Sequence, residues 1–124
     1  MTSVLVVDDD DRNRKLAVDV LSAAGFGTFG AATAAQGIAL AREHVPDVIL
    51  MDLRLPDMNG VDATRELGAD ERTALIPVVA LSASPVEGTE GWLEEQGFAG
   101  SLDKPIHVST FPEQIRRYCV GRAD

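Results

Sequence analysis

Residues 47–60 read DVILMDLRLPDMNG. The first six, Asp47 to Asp52, place an unbroken apolar run between two aspartates, as in a strand buried on both faces of a parallel sheet. The eight that follow are rich in turn formers, with Pro56, Asp57, Asn59 and Gly60 close together. This is a buried strand that ends on a carboxylate, Asp52, and opens into a loop.

Working outward, the same alternation repeats to both ends of the chain. Toward the N-terminus, Ala34, Ile38, Ala41 and Val45 mark a helix that ends before Pro46. Thr28 to Ala31 is a weaker strand. Leu16, Ala17, Val20, Leu21 and Ala24 recur at helical spacing and Gly25 stops them, while Ser3 to Val7 is apolar and β-branched, as a buried strand is. Toward the C-terminus, Val61, Thr64 and Leu67 give a short third helix, and Ile76 to Leu81 a fourth strand. The fourth helix, within Val86 to Gln96, is a poor one: Gly88 and Gly91 each cost about 1 kcal/mol relative to alanine, so mobility is expected there. Phe98 to Leu102 is a short fifth strand, and Val108, Phe111, Ile115 and Tyr118 line the inner face of a last helix.

Five strands alternating with five helices predict an α/β fold, a parallel sheet covered on both faces. Right-handed crossovers leave few topologies, and the flavodoxin-like order 2-1-3-4-5 is the expected one. In that order ligands bind at the switch point between strands one and three, outside the carboxyl ends of the strands.

The chain has 124 residues, the length of one domain, expected here as 1–124, with a core that needs no metal or disulfide staple. Its one cysteine, Cys119, excludes an intrachain disulfide and fits a reducing compartment. A formal charge of −9 disfavours direct binding to nucleic acid or to anionic membranes. Neither a leader peptide nor a bilayer-spanning run is visible, so a soluble, cytoplasmic protein is expected.

The carboxyl ends of the strands carry the chemistry. Strand one runs into Asp8 and Asp9, strand three ends on Asp52, strand four ends at Ser82, and strand five is followed by Asp103, Lys104 and Pro105. Three carboxylates in one crevice repel one another unless cations neutralise them. Lys104 offers one positive charge, and a hard divalent ion two more. Mg2+ suits such a site because it keeps several waters and shares phosphate oxygens readily. A carboxylate can also act as a nucleophile toward phosphorus, and Asp52 is the central candidate. Taken singly, each residue has a plainer reading. Asp10 or Asp11 is most simply the N-cap or a first-turn acid of helix one, and Ser82 a loop hydroxyl. The joint arrangement is what favours a site.

In VLVVDDDDRNR (4–14), DVILMDLRLPDMNG (47–60), IPVVALSA (76–83) and SLDKPI (101–106), and in the spacing between these blocks, the chain resembles the receiver domains of bacterial response regulators along its whole length. The NR pair and the KPI ending resemble most the single-domain receivers of cell-cycle relays and the receivers of hybrid histidine kinases. The resemblance implies that Asp52 accepts a phosphoryl group from a sensor histidine kinase or a histidine phosphotransfer protein. It implies that Asp9 binds Mg2+ directly, Asp8 through water, and Arg54 through its backbone carbonyl. Ser82 becomes the switch hydroxyl, Lys104 the partner of the phosphoryl group, and Lys104–Pro105 a cis bond. Such a protein is a phosphoacceptor with slow self-dephosphorylation, not an enzyme. Its output goes to a downstream protein, read through the face built by the fourth helix, fifth strand and fifth helix, or by relay of the phosphoryl group.

One position departs from the family's pattern. Receivers usually carry an aromatic or histidine three residues before the lysine, and Ser101 stands there. The usual coupling between hydroxyl and ring is therefore in question, though the phosphoryl chemistry is not. Trp92, on the weak fourth helix, is either a partner anchor or packing for its own helix. No output domain is expected after Asp124, so action through another protein, phosphoryl relay, or membership of a longer chain are the alternatives. The same residues admit two rival readings: a haloacid dehalogenase-type phosphatase or phosphotransferase using Asp8 and Asp10 as a D-x-D pair, and an interaction module that keeps the fold without the chemistry.

Overall fold

The computed structural model describes residues 2–82, 90–103 and 106–120. The elements alternate as β1 (Ser3–Val7), α1 (Asp11–Ala23), β2 (Gly27–Ala31), α2 (Ala34–His44), β3 (Val48–Asp52), α3 (Gly60–Ala69), β4 (Val78–Ser82), α4 (Glu90–Glu95), β5 (Gly100–Asp103) and α5 (Phe111–Val120). The strands form one parallel sheet in the order β2-β1-β3-β4-β5, as expected. Among the described residues no helix is long and apolar enough to cross a membrane.

The apolar runs make this sheet because every second residue points to the same face. Leu5, Val7, Ile49, Met51, Val78 and Ala80 bury one face against α2, α3 and Leu93 of α4. Val4, Val6, Val48, Leu50, Val79 and Leu81 bury the other against Ala17 and Leu21 of α1 and Phe111 and Ile115 of α5. Neither face meets water, so β1 and β3 carry no polar alternation. The carboxyl ends of all five strands then point to one edge of the sheet.

Several element boundaries depart from the sequence expectation, each for a local reason. β4 runs from Val78 to Ser82, not from Ile76 to Leu81. Pro77 has no N–H to donate, although its carbonyl accepts from Ile49 N–H at 3.0 Å. Ile76 is buried within the turn after α3 instead. Likewise β5 begins at Gly100, while Phe98 closes α4: its N–H reaches the Leu93 carbonyl at 3.1 Å around Gly97, whose φ is +105°. Val108 is exposed in a turn before α5, which starts only at Phe111. Leu16 faces outward, since Ala17 and Leu21 take the inner side of α1. Val45 is the left-handed C-cap of α2, at φ 44°, where Pro46 forbids further helix. α4 is short, and the residues before it, with Gly88, lie outside the described residues.

Candidate functional site at the β1/β3 switch point

Each member of the acidic run Asp8–Asp11 has its own task. Asp8 follows β1, donates its N–H to the Ala31 carbonyl at 3.0 Å, and is buried. Its Oδ1 accepts the Asp10 N–H at 2.9 Å, a tight turn that leaves Asp9 exposed at the rim. The Asp10 carboxylate caps α1 by accepting from the N–H groups of Arg12 and Asn13 at 2.9 and 3.0 Å. Asp11 lies in the first turn of α1 and pairs with Arg14 at 2.5 Å. Arg14 also donates to the Asp8 carbonyl at 2.8 Å, which ties α1 to the end of β1. The capping role expected for Asp10 or Asp11 therefore holds. It also counts against an Asp8/Asp10 catalytic pair, because the Asp10 carboxylate is engaged at the helix end.

Asp52 is the last residue of β3 and is 6% exposed. Its Oδ1 accepts the Arg54 N–H at 3.0 Å, so the chain folds back over the carboxylate as soon as the strand ends. The neck of the β3–α3 loop is closed by Gly60 N–H on the Leu53 carbonyl at 3.0 Å and by a bridge between Arg54 and Asn59. Asn59 caps α3 through the Asp62 N–H at 2.8 Å.

The adjacency of β1 and β3, with Val7 level with Met51, brings the acids together. Asp8, Asp9 and Asp52 each offer a carboxylate oxygen, and these oxygens lie within 4.8 Å of one another. Two ligands of one Mg2+ ion sit about 2.1 Å from its centre and so at most about 4.2 Å apart. The cluster thus suits a small hard cation reached by two carboxylates directly and the third through water. The oxygen-only donor set points the same way.

Ser82 ends β4, the strand beside β3, and is half-buried. It is level with Asp103 of β5. Lys104 and Pro105, with the expected cis bond, lie outside the described residues. Arg54 has an exposed side chain, which leaves its backbone as the part that faces Asp52. Ser101 lies on β5 and lines a cavity of about 260 Å³ with Leu93, Glu94, Ala99, Gly100 and Tyr118. Trp92 of α4 is 49% exposed.

Two residues of the loop went unread in the sequence except as turn formers. Gly60 leaves no space for a side chain against the backbone of Asp52. Asp57 reaches across to α2, where its two oxygens accept the N–H groups of Ala34 and Ala35, both at 2.9 Å.

The fold and the site define a class, and comparison with known proteins identifies it. The family model of the response regulator receiver domain matches residues 4–116, and the chain belongs to that family. Over 116 residues it is 39% identical to the polar-differentiation response regulator DivK of Brucella ovis, which covers 94% of each chain. Among solved structures it resembles chemotaxis protein CheY4 of Vibrio cholerae, with a TM-score of 0.89, 25% identity, and coverage of 95% of this chain and 98% of that one. It also resembles the receiver domain of sensor histidine kinase PA1611 from Pseudomonas aeruginosa, with a TM-score of 0.86, 28% identity, and coverage of 96% and 98%. That structure holds a magnesium ion in its active site cleft. The chain is a receiver of the two-component signalling type, and the family assignment replaces the dehalogenase alternative.

Proposed function

We propose that Asp52 is the phosphoacceptor of this receiver, and that the residues around it form a Mg2+-dependent phosphoryl-transfer site. The observation that carries the reading is the approach of the Asp8, Asp9 and Asp52 carboxylates to within 4.8 Å at the ends of neighbouring strands. Asp9, the Asp52 carboxylate and the Arg54 carbonyl would hold the ion, and Asp8 would help through water. When bound, Mg2+ neutralises the acids and the phosphoryl oxygens.

An oxygen of Asp52 attacks phosphorus in line with the phosphorus–nitrogen bond of a phosphohistidine. That bond breaks as the acyl phosphate forms, and the imidazole leaves with the electron pair and takes up a proton. Phosphoryl transfer demands mainly positioning and charge neutralisation, and the burial of Asp52 at a fixed strand end supplies the first. Ser82 donates its hydroxyl to the new phosphoryl group, and Lys104 pairs with it. The modification adds roughly −1.5 to −2 charge, enough to pull both toward Asp52 and to shift the connection between β4 and α4.

Donors of the expected class are a sensor histidine kinase or a histidine phosphotransfer protein in the cytoplasm. The whole of 1–124 acts as one receiver domain, with slow self-dephosphorylation. Its output is a downstream protein that reads α4, β5 and α5, where Trp92 is exposed and Ser101 lines a cavity, or onward relay of the phosphoryl group.

The test is transfer of label from a phosphorylated histidine phosphotransfer protein. Label that appears only with Mg2+ and is released by hydroxylamine, as an acyl phosphate is, supports the reading. Tight partner binding that ignores both phosphorylation and Mg2+ would instead support a non-phosphorylated interaction module.

A further inference from the structure

We infer that Asp57 is a positioning residue: it fastens the tip of the β3–α3 loop to the N-terminus of α2, and thereby holds the Arg54 backbone in register beside Asp52. The inference rests on the phosphoacceptor reading above, in which the Arg54 carbonyl and Asp52 share an ion.

The leading N–H groups of a helix have no partner within it and seek an acceptor. In α2 the helix's own residues meet only part of that need. The Thr33 hydroxyl accepts the Gln36 N–H at 3.1 Å, and the Gln36 side chain accepts the Ala32 N–H at 3.1 Å. The N–H groups of Ala34 and Ala35 are taken by Asp57, 23 and 22 residues further along the chain. Both oxygens of one carboxylate are used, one for each donor. Such charge-assisted bonds at a positive helix end are stronger than neutral ones. They also hold the Asp57 carboxyl below its usual range, with the Ala35 bond the largest cause.

Asp57 is exposed, so it contributes a fixed point and not packing. Its loop is short and closed at the neck by the Gly60–Leu53 hydrogen bond and the Arg54–Asn59 bridge. A loop anchored at neck and tip has few ways to move, and Arg54 belongs to the neck, three residues from the tip at Asp57. The same corner of the fold also holds the other side of the site, because the Ala31 carbonyl at the end of β2 accepts the Asp8 N–H. The Ala31 carbonyl thus braces the β1 end, and the Ala34 and Ala35 N–H groups brace the β3 loop.

The experiment is a calorimetric Mg2+ titration of wild type, Asp57→Ala, Asp57→Asn and Thr33→Ala, each well below its unfolding temperature. Thr33→Ala removes a different cap of α2, a hydroxyl that accepts from Gln36 N–H and not from the loop. Outer contacts that orient metal ligands commonly change affinity 10-fold or more, so Asp57→Ala is expected to raise the Mg2+ dissociation constant roughly 10-fold. Asp57→Asn, which keeps one acceptor, falls between it and wild type. Thr33→Ala loses thermal stability but keeps the wild-type Mg2+ affinity. Unchanged affinity in Asp57→Ala, or equal weakening in Asp57→Ala and Thr33→Ala, overturns the inference while leaving the phosphoacceptor reading intact. Wild-type protein that binds no Mg2+ overturns that reading and the inference with it.

Discussion

Gly60 packs its Cα against the backbone carbonyl of Asp52, with no room for a side chain between them. A Cβ at that position would press on the Asp52 carbonyl oxygen and come within 2.9 Å of the Leu53 Cα, and backbone atoms cannot swing aside as a side chain can. The start of α3 can therefore approach the end of β3 only through glycine, and this approach closes the loop that follows the proposed phosphoacceptor.

Gly60→Ala should consequently cost about 1–3 kcal/mol of stability, the usual range for overpacking a tight contact. It should also weaken Mg2+ binding, because Leu53 and Arg54 must shift. Urea unfolding and an Mg2+ titration of the same variant measure the two effects. A variant with wild-type values in both would mean that the loop relaxes without disturbing Asp52.

At the opposite edge, Asp70 holds two arginines. Arg42 of α2 donates to it at 2.9 Å and Arg72 at 3.1 Å, which joins the C-terminal ends of α2 and α3. The Arg72 side chain and then the Arg72 N–H are the main reasons that the Asp70 carboxyl is lowered to about 2. A carboxyl that is more acidic folded than unfolded stabilises the native state above its unfolded value of 3.8, and the contribution is lost as pH falls toward 2. In Asp70→Asn the fall in stability between those two values should be shallower than in wild type. Unfolding midpoints across that acid range decide it, and parallel curves would remove Asp70 from the account.

Tyr118, the only tyrosine, offers a clean spectroscopic probe of the cavity beside Ser101. Its ring lies over Gly100, where a Cβ would overlap the phenol, and burial pushes the phenol's pKa above 10.0. The neutral phenol thus adds stability that is present below 10.0 and is lost as pH rises through the folded value. Gly100→Ala should displace the ring outward and return its ultraviolet titration toward the free value. An unchanged titration would show that the cavity wall moves instead of the ring.

The parts of this fold that were legible in sequence are those that rest on local pattern. VLVV and VILM can hardly be anything but buried strands, and handedness narrows the strand order to a few topologies once the alternation is seen. Asp8, Asp9 and Asp52 then meet because β1 and β3 are neighbours. What could not be read depends on partners distant in sequence or on single backbone groups. Asp57 looks like any turn aspartate until α2 is placed beside it. Pro77 shortens β4 although Ile76 continues its apolar run, because the missing N–H outweighs side-chain character. Phe98 looks like a strand residue, yet its N–H closes α4 on the Leu93 carbonyl, and its ring joins the same core cluster. Val108 continues the apolar spacing of α5 but precedes its first turn.

The most direct test of the central claim is the intact mass of wild type and Asp52→Asn after incubation with Mg2+ and a small acyl phosphate, with EDTA as the control. One phosphoryl adduct on wild type, absent from Asp52→Asn and abolished by EDTA, is the predicted result. An adduct that persists in Asp52→Asn would contradict it and move attention to Asp8.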